Sequence, residues 1–153
     1  MFLISLSFGY FTGLLFVEDT TEFSTEGIEL NYNGNEINDI DYDLELNQPM
    51  KFKKSKNEII TIIHTHVLSF SLIFLALGGL LCFTNIPIRF KRILIIEPFI
   101  SILLTFGGIW LIWEEITWMK YIVMFSGILL TITFIISTLL IIYELFRKNK
   151  TSQ

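Results

Sequence analysis

The sequence predicts an all-α membrane protein, a four-transmembrane-helix bundle with a small extracytoplasmic β-hairpin loop. Three observations predict it. The 153 residues are 52% hydrophobic with a mean hydropathy of +0.61, above the range of soluble domains. Apolar runs recur four times along the chain. The charges between them fall in blocks, acidic in some connections and basic in others, as membrane topology sorts them.

Residues 1–17 form the first predicted transmembrane helix. The run Phe2–Val17 is short and would also serve as the apolar core of a secretory signal. It has no basic leader and no small-x-small site before Glu18, so a retained helix is expected. Gly9-x-x-x-Gly13 allows close helix approach, more readily within the chain than between two copies.

Residues 18–58 carry eleven acids against four lysines and are expected outside the membrane. A segment this short cannot build its own core and must lean on the helices. Ile28, Leu30 and Tyr32 alternate with other residues, Asn33-Gly34 offers a turn, and "DIDYDLEL" alternates from Asp39 to Leu46. That pattern predicts the hairpin. Asp39, Asp41, Asp43 and Glu45 would share one face, a solvated edge rather than a calcium loop, because the EF-hand glycine and final glutamate are missing. Lys51 to Lys56, "KFKKSK", suits phospholipid headgroups.

The second, third and fourth helices are predicted at 59–88, 93–113 and 119–146, each long enough to cross about 30 Å of hydrocarbon. Arg89, Lys91 and Arg92 join the second to the third without an acid, and the tail 147–153 holds Arg147, Lys148 and Lys150. Both are expected to be cytoplasmic. Glu114 and Glu115 then lie outside and both termini inside. Glu97, close to the cytoplasmic end of its helix, is expected to pair with the basic loop. Ile-, Lys- and Asn-rich composition points to a bacterial inner membrane. Cys82 is the single cysteine, which rules out an intrachain disulfide.

Ionisable groups inside a span mark function by default, and the only two histidines, His64 and His66, open the second helix. Counted from Ile59 they lie about 8 and 11 Å deep. Matching depths across antiparallel neighbours brings Thr12, Gly107, Gly108, Ser126 and Gly127 to their level as the wall of a candidate cofactor site. Residues two apart on a helix are rotated by about 200°, so the pair cannot grip one metal ion, and no zinc ligand set exists. No metal site and no catalytic residue are therefore assigned.

His-x-His, then Val-Leu-Ser, then an apolar run ending in Gly-Gly, over residues 64–80, resembles the helix of haem-copper oxidases whose two histidines point to different haems. The resemblance implies haem b as the candidate cofactor, with His64 or His66 as an axial ligand. Four spans and two histidines cannot complete such a catalytic subunit. The layout as a whole resembles small bacterial four-span membrane proteins of no assigned activity.

Three function classes follow. The first is a non-enzymatic accessory or assembly subunit of a larger membrane complex, embedded in the lipid bilayer beside other subunits or a second copy. The second is a b-type haem- or quinone-binding redox protein using His64 and His66. The third is a transporter or channel subunit with titrating histidines, which the apolar stretch between Ser71 and Thr84 disfavours. An acidic chain whose basic residues hug the membrane excludes nucleic acid. No serine-centred glycine elbow supports a hydrolase.

Overall fold

The computed structural model describes residues 1–35 and 51–151. Five helices follow in order: α1 Phe2–Thr21, α2 Thr25–Asn33, α3 Lys56–Cys82, α4 Ile88–Trp113 and α5 Met119–Thr151. Four of them, α1, α3, α4 and the Met119–Arg147 part of α5, are long and apolar enough to cross a membrane. The protein is an integral membrane protein, and the described residues are all helix or connection. No strand occurs among them.

The segment expected to form the first strand of a hairpin is α2 instead. Ile28 and Tyr32 alternate with period two, but they also stand four apart, one turn of a helix. The ends decide between the two periods. Ser24 is the N-cap and its Oγ accepts from the Gly27 N–H at 2.9 Å, satisfying a donor the helix start leaves open. Asn33-Gly34 acts as a helix stop rather than a hairpin turn: Gly34 takes φ 74° and its N–H returns to the Leu30 carbonyl at 3.0 Å. Glu26 is held below the usual carboxylate range by its own backbone N–H and by the Thr25 hydroxyl. The second expected strand, Asp39 to Leu46, lies outside the described residues.

The chain returns beside Gly34. Asn35 and Lys51 pair through Asn35 N–H to the Lys51 carbonyl at 2.9 Å and Lys51 N–H to Asn35 Oδ1 at 2.7 Å. Lys54 N–H then reaches the Tyr32 carbonyl at 3.1 Å. This cap is tied to the helix ends beneath it. Asn33 donates to the Ile112 carbonyl at 2.8 Å, Trp113 Nε1 donates to the Lys54 carbonyl at 2.8 Å, and Lys120 meets Glu29 at 2.7 Å. At the α1–α2 corner, Glu22 and Phe23 adopt positive φ, and a Cβ on Gly27 would stand 2.0 Å from the Thr21 carbonyl oxygen. Gly27→Ala is therefore expected to cost on the order of 1–3 kcal/mol, read as a lowered Tm in detergent.

Ser55 caps α3 through a reciprocal box with Glu58. The far end of α3 comes at Cys82, before Pro87, which precedes the first turn of α4. Lys91 closes that turn by donating to the Cys82 and Thr84 carbonyls at 3.1 and 2.9 Å.

The core lies mainly between α4 and α5; α3 packs on α4 along Ile63, Val67 and Phe70, and Phe74 of α3 reaches Phe134 of α5. Outward faces keep exposed Phe, Leu and Ile, as lipid allows. On the α4–α5 seam the small polar side chains of Thr105 and Ser126 meet. Ser126 donates to the Val123 carbonyl, which makes Thr105 the donor in the 2.7 Å bond between Thr105 and Ser126. Helix α1 docks on the face of Leu3, Leu6, Tyr10 and Leu14. Tyr10 is the deepest of these, its ring stacked 3.9 Å from Phe134 and its hydroxyl 3.1 Å from Thr131.

Candidate functional site around the α3 histidines

His64 and His66 flank the seam by which α3 packs on α4, one on each side of the Ile63–Val67 line, as the rotation between them requires. Both are exposed on the bundle surface. His64 opens onto a shallow groove of about 310 Å³ lined by Ile60, Ile63, Val67, Leu68 and Trp110. The groove continues along α4 past Leu103, Phe106 and Gly107.

His66 stands differently. Its Nδ1 is 2.8 Å from the Ile62 carbonyl oxygen. A carbonyl only accepts, so Nδ1 carries the proton, and Nε2 of the neutral ring keeps its lone pair. The imidazole lies 5.5 Å from the Phe106 ring and 6.3 Å from Phe70. From there the rings run inward: Phe70 to Tyr10 at 6.1 Å and Tyr10 to Phe134 at 3.9 Å.

Of the residues expected to wall the histidines, Gly107 alone lines the groove onto which His64 opens, at its continuation along α4. Thr12 is exposed on α1 and donates to the Gly9 carbonyl at 2.9 Å. Gly108 is turned to α5, where a Cβ would stand 2.5 Å from Val123 Cγ2. Ser126 bonds Thr105, and Gly127 gives its carbonyl to the Thr131 hydroxyl at 3.0 Å. Matching depth places residues at the right level in the bilayer but leaves their azimuth open: Gly108 and Ser126 face the α4–α5 seam, and Thr12 and Gly127 bond only within their own helices. Gly9 and Gly13 would meet nothing within 4 Å if each carried a Cβ. Their spacing does not serve packing among the described residues.

Glu97 also departs from expectation. No ion pair with Arg89, Lys91 or Arg92 forms, and Lys91 is held by the carbonyls at the end of α3. The Ser101 hydroxyl instead donates to Glu97 Oε1, and Oε2 is buried without a hydrogen-bond partner. Sequence reasoning missed Ser101 as a partner, although the i, i+4 spacing carries the signal. The buried carboxylate at the end of the bundle that holds Arg89, Lys91 and Arg92 is Glu144, bonded to Asn85 at 2.9 Å and Arg147 at 2.8 Å.

No cluster of three or more His, Cys, Asp or Glu side chains able to hold a metal ion occurs among the described residues. No curated protein and no solved structure matches the chain. Residues 22–152 match the Aq_1264_TM family, described as a transmembrane helical domain, and that span takes in α2 through α5. With most of its length inside the match, the chain belongs to this family of transmembrane helical domains.

Proposed function

We propose that this protein is a non-enzymatic accessory or assembly subunit of a larger complex in a bacterial inner membrane, with both termini cytoplasmic. One observation carries the reading: two imidazoles in a membrane-spanning helix stand exposed on the outside of the bundle. Hydrocarbon offers an imidazole no hydrogen bond, and polar groups in spans face protein or water rather than lipid. A partner helix laid along the groove from Ile60 to Leu103 would cover His64 and supply what lipid does not. The orientation rests on Arg89, Lys91 and Arg92 at one end of the bundle and on the acidic residues of 18–35 at the other.

The test is photocrosslinking in cells, with a benzophenone amino acid placed at Leu68 beside the groove or at Phe125 on α5, both exposed. A discrete adduct from position 68, weakened by His64→Ala and missing from position 125, is expected. Equal labelling from both positions would mean that lipid covers this face.

A second reading has its own observation. The Nδ1 proton of His66 is held by a carbonyl, which leaves Nε2 as the free donor atom, the arrangement that orients ligating histidines. Phe70 and Phe106 beside the ring would form the apolar side of a haem b or quinone site completed by a second copy or another subunit. Oxidised and dithionite-reduced absorption spectra of protein expressed with ample haem decide it. A Soret band lost in His66→Ala supports haem, and a featureless spectrum removes it.

A further inference from the structure

We propose that Glu97 and the α4–α5 seam beside it form an intramembrane binding site for one sodium ion. Glu97 Oε2 is buried and has no hydrogen-bond partner, and no ion pair reaches the carboxylate among the described residues. Two hydroxyls on α5, Ser137 Oγ and Thr138 Oγ1, are likewise buried without a partner, in residues 1% and 7% exposed. Helical serine and threonine hydroxyls ordinarily bond back to a carbonyl of the preceding turn. Thr131 and Ser126 do so here, whereas Ser137 and Thr138 do not.

The helix register sets these oxygens at neighbouring levels of the bundle. Thr105 meets Ser126, and Gly108 faces Val123. Each step down α4 is a step along α5, so Ser137 falls level with Leu94, about 4.5 Å along the axis from Glu97. At that level Pro98, fully buried, has no N–H to give the Leu94 carbonyl. The set is one carboxylate, two hydroxyls and a freed backbone carbonyl, all oxygen.

Hard cations take such donors, and a single carboxylate leaves a monovalent ion neutral in a medium where residual charge is costly. A proton would need one acceptor and would leave the remaining oxygens unpaired. No cation competes for the site from the described residues.

Dicyclohexylcarbodiimide tests this on the detergent-purified protein. It adds to protonated carboxyl groups from the apolar phase. The acid proton passes to a carbodiimide nitrogen while the carboxyl oxygen bonds the central carbon, and the O-acylisourea rearranges to an N-acylurea with the mass of both reactants. Sodium chloride is expected to slow labelling of Glu97 about tenfold relative to choline chloride of equal ionic strength, saturably, and to raise Tm. Glu97→Gln should abolish both effects. Ser137→Ala should raise the half-protecting sodium concentration about tenfold.

Labelling that follows pH and ignores sodium would make the proton the sole occupant and overturn the site. A protein in which neither labelling nor Tm responds to sodium would overturn it too. If Glu97 resists the reagent in every buffer, the Tm difference between wild type and Glu97→Gln decides alone.

Discussion

Tyr10→Ala is expected to undock α1 from the bundle and leave α3, α4 and α5 assembled. In lipid the usual transfer term is missing, because hydrocarbon is as apolar as a helix face, so docking rests on packing and hydrogen bonds. For α1 these converge on one side chain. The Tyr10 ring stacks on Phe134 at 3.9 Å and meets the Phe70 edge at 6.1 Å. Its hydroxyl donates to Thr131, whose own proton goes to the Gly127 carbonyl. Two aromatic pairs and one intramembrane hydrogen bond together contribute about 2–3 kcal/mol. Leu3, Leu6 and Leu14 add partly buried contacts on the same face, whereas Phe8, Phe11 and Leu15 are exposed. Hydrogen exchange in α1 should rise roughly thirtyfold in Tyr10→Ala, with α4 and α5 unchanged. Tyr10→Phe, which keeps both ring contacts, should show a small part of that rise. Unchanged exchange in Tyr10→Ala would mean that the α1–α2 corner, not the ring, holds the helix.

Hydropathy made the spans legible, because about 30 Å of hydrocarbon imposes a length on any helix that crosses it. It left the buried faces unread for the same reason: lipid and core are equally apolar, so no polar stripe marks the outside. The inner faces of α4 and α5 are marked instead by small and hydroxylated residues. Ser101, Thr105 and Gly108 stand four and three apart, and Ser126, Thr133 and Ser137 seven and four apart. That spacing is readable in sequence once small residues, rather than leucines, are taken as the contact signal. Depth matching brought Ser126 and Gly108 to the level of the histidines, although they belong to this seam. The α2 error has another cause. Ile28 and Tyr32 satisfy a strand and a helix alike, and the Ser24 cap and the Gly34 stop outweigh the alternation between them. His64 and His66 were legible as the unusual residues of a span, but their exposure was not, since it depends on which side of the Ile63–Val67 seam α4 occupies.

The glycine pair of α4 offers the sharpest separation of packing from function, since its two members face opposite ways. A Cβ at Gly108 would stand 2.5 Å from Val123 Cγ2 and 3.5 Å from Met119 Cε, whereas one at Gly107 would meet nothing within 4 Å. Val123 is β-branched and held to one rotamer in a helix, so it cannot turn aside, and α5 must move. Gly108→Ala is expected to cost about 1–3 kcal/mol and to lower Tm in detergent. Gly107→Ala should stay within about 0.5 kcal/mol. Adding Val123→Ala should restore much of what Gly108→Ala loses, a coupling that a double-mutant cycle isolates. Equal losses at the two positions would contradict the azimuth of α4 on which the groove depends. Gly107 lines the continuation along α4 of the groove onto which His64 opens. A change there that leaves Tm intact yet abolishes the crosslink from position 68 would locate the partner's contact on the histidine face, independently of the histidines themselves.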